Sequence, residues 1–408
     1  MLKVKESIGL RKIDEGSVTS PAGFTADGVH TGLRYAKKDL GVLISEVPAS
    51  CAAVYTQSHF QAAPLKITQE SIEMDHKLQA LIVNSAIANA CTGEQGLKDA
   101  YEMRALCANS FALKEEHVAV ASTGVIGEYL KMDCIRNGVD DISPSKDGSP
   151  AFQEAILTTD TVTKKTCYEM TIDGRKVTIG GCAKGSGMIH PNMATMLAFV
   201  TTDASIESSV LQQALSELTD VSFNQITVDG ETSTNDMVLV MANGLANNEP
   251  LTPQHDDWVT FKQGLKLVCE DLAKSIARDG EGATKLIEVT VEGAANDAEA
   301  RITAKKVVGS SLVKTAVYGS DANWGRIIGA IGHSSAEVNP DKIGIFLGDQ
   351  CLYHNGQPQN FSEDKAKEVL DKNTVNIHID LRIGNGEGKA WGCDLTYDYV
   401  KINASYRT

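Results

Sequence analysis

The chain has 408 residues, a length that suggests two or three domains, and its 42% hydrophobic and 22% charged residues are ordinary globular composition with apolar content enough for an enzyme's core. A formal net charge of -15 argues against nucleic acid and against an anionic membrane surface, both of which need clustered Lys and Arg, but leaves small anionic substrates open. No run reaches the ~18 apolar residues of a membrane span, and Met1 to Ser7 hold no apolar signal core, so a cytoplasmic protein is expected.

In chain order, short apolar runs alternate with segments of helical period. Ala52-Ala-Val-Tyr55 and Ala80-Leu-Ile-Val-Asn84 read as buried strands. Leu97 to Leu113 has helical spacing, with Ala100, Met103, Leu106, Cys107 and Ser110 on its inner face. Val118-Ala-Val-Ala121 is a further strand. Ser143-Pro-Ser-Lys-Asp-Gly-Ser-Pro150 is a turn-rich loop and a candidate boundary. Tyr168 to Ile179 is a hairpin, because Asp173-Gly174 is a favoured two-residue turn between alternating flanks. Met196 to Val200 is a buried strand, Glu207 to Leu218 a helix, Met237 to Ala242 a strand, and Trp258 to Ala277 a long amphipathic helix. The apolar-polar alternation of Asp394 to Ile402 predicts a last strand. The fold class is therefore α/β (α+β), with antiparallel pairing in the sheets.

Between the hairpin and the Met196 strand lies Gly180-Gly-Cys-Ala-Lys-Gly-Ser-Gly-Met-Ile-His-Pro-Asn-Met-Ala-Thr195. It is glycine-rich first and stiff afterwards, and the change falls at Ala194-Thr195. A threonine hydroxyl needs a base, and an α-amine of reference pKa about 7.7–8.0 is a far better one near neutrality than a lysine of about 10.4. That gap is worth roughly 3.4 kcal/mol in making the neutral amine available. Thr195 gains such an amine only if the Ala194-Thr195 bond is cut, and its own hydroxyl can attack the Ala194 carbonyl to begin that cut. Glycine-rich loops before strands, and threonines in strands, are nevertheless common without any chemistry.

Lys184-Gly-Ser-Gly-Met-Ile-His-Pro-Asn-Met-Ala-Thr-Met-Leu-Ala-Phe199 closely resembles the cleavage segment of the ornithine acetyltransferases (glutamate N-acetyltransferases) of arginine biosynthesis. The resemblance covers essentially the whole chain. It continues in Gly28 to Gly32, Ala53 to Thr56, Asn84 to Gly93, Ser122 to Gly127, Asn224 to Asp236, Gly319 to Arg326 and Asn403 to Thr408.

The resemblance implies a layered α-β-β-α sandwich with mixed and antiparallel sheets. It implies self-cleavage into residues 1–194 and 195–408, which stay associated as a heterotetramer of two alpha and two beta chains. It implies transfer of acetyl from N2-acetylornithine to glutamate through an acetyl ester on Thr195. The chain is most similar to versions that also use acetyl-CoA to acetylate glutamate. By the same resemblance Thr123 and Gly124 form the oxyanion hole, and Thr158, Lys184, Thr195, Glu281, Asn403 and Thr408 bind substrate. A strand end at Ser122 suits such a hole, since a hydroxyl and a backbone N–H can point outward there. Lys184 is read as a carboxylate contact rather than a base, because an ordinary lysine pKa is too high.

The alternative is an N-terminal-nucleophile hydrolase or aminopeptidase with water as acceptor. The Lys184 and Glu281 pair, suited to a charged amino acid, separates the two. Nine scattered cysteines without a Cys-x-x-Cys pair, and nine scattered histidines, fit reduced cytosolic thiols and predict no metal site; no cofactor is expected, with acetyl-CoA as a second substrate. A Ser186–His190 pair is rejected for want of an acid, and Asp321, Asn323, Trp324 and Arg326 are read as structural.

Overall fold

A computed structural model describes residues 9–190 and 196–405. A nine-stranded mixed sheet dominates it. Its order is 11–12, 164–172, 175–184, 197–202, 237–242, 40–55, 77–84 and 118–122, with Phe24–Val29 pairing the side of Leu40–Tyr55.

The strand Leu40–Tyr55 explains the layering. Its pairing with Lys77–Asn84 slips between Ile44 and Ala49, a stretch that includes Pro48. Proline has no N–H for the ladder, so the strand bends there and the sheet folds on itself. Leu43, Leu81 and Ala121 of one half then pack against Cys182, Phe199 and Leu239 of the other. The outer face of the first half, with Val42, Ile82 and Val120, carries the helices Ala63–Asp75, Gly93–Ser110 and Met132–Asp141. The outer face of the second half, with Ile179, Val200 and Val240, carries Ser208–Asp220 and Trp258–Arg278. This is the expected α-β-β-α sandwich. Each large apolar side chain buried between its layers contributes about 1.5–3 kcal/mol.

A seven-stranded sheet follows, in the order 357–358, 350–354, 344–347, 374–380, 286–294, 386–393 and 226–227. Its apolar face packs on helices that include Asp297–Val308 and Trp324–Gly332. Trp391 and Cys393 of its last long strand join Leu272 and Ile276 of the helix Trp258–Arg278, which links the two sheets.

The core does not divide at the expected cut. Leu197–Thr202 pairs antiparallel with Arg175–Lys184 from before residue 194, and Met237–Ala242 pairs antiparallel with Leu40–Tyr55. The two predicted fragments thus share one sheet.

The strands expected at Ala52, Ala80, Val118 and Met237 are present, as is the hairpin. Asp173 and Gly174 both have positive φ, of 50° and 69°, which a two-residue turn of this kind requires. Two expectations are corrected. Ser110 is exposed, because the buried stripe of its helix runs through Ala100, Met103 and Cys107 and ends at Ala108. Residues after Asp394 form not a strand but the helix Tyr397–Ser405. The Thr396 hydroxyl accepts from Tyr399 N–H at 3.4 Å while donating to Gly282 O at 2.7 Å, which starts a helix where the alternation suggested extension.

Candidate active site

Thr123, Gly124, Thr158, Lys184, Glu281 and Asn403 line a single cavity of about 160 Å³. They come from five separate places in the sequence, and the fold brings all of them together. Met196 and Leu197 line the same cavity, so the chain enters it directly after Thr195. Ala194, Thr195 and Thr408 themselves lie outside the described residues.

The loop that carries Thr123 and Gly124 follows the buried strand Val118–Ser122. Thr123 N–H donates to Asn84 O at 2.9 Å, and Val125 N–H to Ala86 O at 3.1 Å. The Gly124 N–H between them donates to no acceptor among the described residues. Gly124 has φ +124°, and a Cβ there would lie 2.2 Å from Ala86 O, so only glycine fits. Two amides hold the loop. Asn84 Oδ1 accepts from Ala86 and Ile87 N–H at 3.2 and 3.1 Å, and Asn235 Nδ2 donates to Ala88 O at 2.6 Å and Ser122 O at 2.9 Å.

Lys184 ends the strand Arg175–Lys184, and its Nζ lies 3.4 Å from Thr123 Oγ1. It is only 7% exposed. Burial pushes its amine below the ordinary lysine value. Asp160, Asp236 and Glu281 work against that shift, and Lys164 adds to it.

Glu281 is equally buried, and its Oε2 accepts from Asn403 Nδ2 at 2.8 Å. The terminal helix is thereby tied to the cavity. A Cβ on Gly187 would come within 2.4 Å of the Glu281 carboxylate, so a glycine there leaves the carboxylate its place. Thr158 donates its N–H to Asp160 Oδ2 at 2.9 Å, in a turn after the helix Ser149–Ala155.

Several functional neighbours were not singled out from sequence. Asp160, Lys164 and Asp279 form a buried network. Lys164 Nζ donates to Asp160 Oδ1 at 2.7 Å and to Asp279 Oδ2 at 2.6 Å. Burial favours a raised pKa at Asp160, but Lys184, Lys164 and the Gly185 N–H outweigh it and hold the carboxyl well below the usual range. Asp229 accepts from Met188 and Ile189 N–H at 2.7 and 2.9 Å, which fixes the loop before residue 191. On the far side Met237 N–H donates to Met196 O at 2.9 Å. Asp236, 4% exposed, lines the cavity with its Oδ2 unpartnered among the described residues. Burial pushes its carboxyl well above the usual range, against hydrogen bonds from Ser233 and the charge of Lys184. The Asn224 to Asp236 motif contained Asn235 and Asp236, so a signal existed for those two.

Ser186 and His190 do not pair. Ser186 Oγ donates to Asp279 O at 2.7 Å, while His190 Nδ1 sits 2.9 Å from Thr227 Oγ1. Burial, helped by Lys305 and Lys306, pushes His190 down to about 4. One group that sequence spacing did not reveal, Asp173, His255 and Asp257, brings three metal-type ligand atoms together. Its atoms are already engaged: Asp257 Oδ2 accepts from Asp173 N–H, and His255 Nδ1 from Asp257 N–H.

A hydroxyl and a backbone N–H beside a buried lysine and a buried carboxylate, in one cavity of an α-β-β-α frame, are equipment that suits an acyl-transfer enzyme. The comparisons agree with that class. Residues 25–408 match the ArgJ family. The chain is 65% identical over 410 residues to the arginine biosynthesis bifunctional protein ArgJ of Geobacillus kaustophilus, covering 100% of both. It is 67% identical over 393 residues to the protein of that name from Bacillus subtilis, covering 96% of this chain and 97% of the relative. A crystal structure of the Bacillus halodurans protein, 63% identical with a TM-score of 0.51, covers 51% of this chain and 98% of the solved one. The chain belongs to the ArgJ family. Among the described residues no helix is long and apolar enough to cross a membrane.

Proposed function

We propose that this chain is a self-cleaving acetyltransferase of arginine biosynthesis, moving the acetyl group of N2-acetylornithine to glutamate through an acetyl-Thr195 ester. It also makes N-acetylglutamate from acetyl-CoA and glutamate, and it works in the cytoplasm. The observation that carries the reading is the convergence of Thr123, Gly124, Lys184, Glu281 and Asn403 on the cavity that Met196 and Leu197 enter.

The chemistry follows from these positions. Attack of the Thr195 hydroxyl on the Ala194 carbonyl gives an ester that water opens, leaving Thr195 with a free α-amine. That amine then takes the hydroxyl proton as Thr195 attacks the acetyl group of acetylornithine. The Thr123 hydroxyl and Gly124 N–H receive the negative charge that develops on the acetyl oxygen. Ornithine leaves with the proton, and the glutamate amine attacks the ester in the second half. Lys184 holds the α-carboxylate of the bound amino acid, and Glu281 pairs with the side-chain ammonium of ornithine. A charged pair in the wall favours an amino acid over bare water as acceptor.

The sharing of one sheet by residues on both sides of the cut supports fragments that remain together; the assembly we propose for them is a tetramer of two alpha and two beta chains. The match takes in 98% of the solved relative's chain yet only 51% of this one, which is in keeping with separate half-length chains.

A denaturing gel with N-terminal sequencing tests the proposal. Purified protein should give fragments 1–194 and 195–408, the second beginning at Thr195, and Thr195→Ala should stay whole and inactive. A single intact chain with activity would sink the mechanism. Labelled glutamate offered with acetylornithine, and separately with acetyl-CoA, then reads one activity against two.

A further inference from the structure

A second groove, of about 770 Å³, lies outside the catalytic cavity. The helices Asp297–Val308 and Trp324–Gly332 both contribute to its walls. Ile302 and Leu312 supply apolar surface and are 44% and 61% exposed, unusual values for residues of their kind. Lys305, Lys306 and Arg326 supply cationic side chains, His333 lies beside them, and no carboxylate stands among the described lining residues. On a chain of net charge -15 that segregation marks a locally basic site.

Three further features suit an anion with an apolar arm. The groove reaches the N-terminus of the helix Trp324–Gly332, where the helix dipole favours negative charge. Gly329 has nothing within 4 Å of where a Cβ would stand, so that wall is open. Burial pushes the Lys305 amine down to about 8, and an anion beside it draws the proton back. The groove also adjoins the chemistry. Ile189 lines the catalytic cavity, and the next residue, His190, lines the groove.

We propose that this groove binds the phosphates and arm of a phosphorylated, nucleotide-type thioester that donates its acyl group to the catalytic cavity. The proposal rests on the reading that acetyl-CoA is a second donor, and it gives that donor a place. In the transfer, the thioester C–S bond breaks as the Thr195 Oγ–C bond forms. The α-amine takes the hydroxyl proton and passes it to the departing sulfur, so a free thiol leaves.

The test uses the cleaved, full protein and two variants away from the catalytic cavity. Lys306→Glu reverses a rim charge, and Gly329→Leu fills open space on a helix that tolerates leucine well. Each should raise the KM for acetyl-CoA by about tenfold, the loss of one charge-assisted contact or of the space for the arm. Each should leave acetylornithine-dependent transfer unchanged. An unchanged KM for acetyl-CoA in both variants overturns the assignment. If the wild-type protein makes no acetylglutamate from acetyl-CoA, the second-donor reading fails by itself. Calorimetry with coenzyme A and with inorganic pyrophosphate then judges the groove. Binding that Lys306→Glu weakens supports a phosphate site. Absence of binding, or binding that the variant leaves unchanged, overturns it.

Discussion

Lys164 Nζ donates to Asp279 Oδ2 at 2.6 Å across 115 residues of chain, and the same ammonium holds Asp160 Oδ1 at 2.7 Å. The Lys164 side chain is fully buried, and so is that of Asp160. The network reaches three segments that line the cavity. Asp160 accepts the N–H groups of Thr158 and Gly185, next to Lys184, and the Asp279 carbonyl accepts from Ser186, whose own carbonyl takes the Glu281 N–H. Lys164→Met therefore takes from Asp160 and Asp279 the ammonium that bridges them, leaving Asp160 only the charge of Lys184. Urea unfolding should show a loss of about 3–5 kcal/mol, the usual result of removing one partner from a buried pair. Transfer activity should fall even where the variant is fully folded, because Thr158, Lys184 and Glu281 lose a common support. A variant with native stability and native kinetics would refute this role.

Thr123 tests the oxyanion hole with less risk to folding than Gly124, whose left-handed φ tolerates no side chain. Thr123→Ala should lower kcat by about 100- to 1,000-fold, with little change in KM, since the hydroxyl acts on charge that exists only in the transition state. Steady-state kinetics with acetylornithine decide it. A loss confined to KM would make Thr123 a substrate contact instead.

Much of this site was legible in the sequence, for physical reasons that also explain the remainder. Runs such as Val118 to Ala121 are apolar on both faces because they lie between two layers, and short-range pattern reports that directly. Asp173-Gly174 declares its turn through the φ values only such residues adopt readily. The bend of Leu40–Tyr55 left a fainter trace, Pro48, which becomes meaningful only once the partner strands are known. The Lys164 network left none. Its residues sit in separate segments, and nothing local distinguishes a lysine that will be fully buried from one on a solvated loop. The tail misled for a related reason, since two hydrogen bonds at Thr396 outweighed a period-two pattern.

Gly187 separates binding from chemistry. Its φ is not left-handed, so alanine is acceptable to the backbone, but the new Cβ would stand 2.4 Å from the Glu281 carboxylate. The carboxylate has to swing away, and its bond to Asn403 is lost. Gly187→Ala should raise the KM for acetylornithine by about tenfold, roughly one charge-assisted hydrogen bond, with thermal stability near wild type. Unchanged KM values for both acetylornithine and glutamate would remove Glu281 from substrate binding.

His190 gives the protein a pH dependence of known sign. Burial first, and Lys305 and Lys306 after it, lower its folded pKa from 6.5 to about 4. Between those values the unfolded chain binds a proton that the folded chain refuses. Unfolding then becomes easier as pH falls from about 6.5 toward 4, and this contribution is flat above 6.5. His190→Gln keeps a polar group near Thr227 but has no proton to gain, so its urea midpoint should vary less between pH 7.5 and 5 than that of the wild type. Asp160 acts in a separate window. Its carboxyl is depressed in the folded state, so its stabilising effect is complete above about pH 4 and is lost only below that. The His190 effect is therefore read between pH 5 and 6.5, and equal slopes for wild type and His190→Gln in that interval would assign the dependence to other groups.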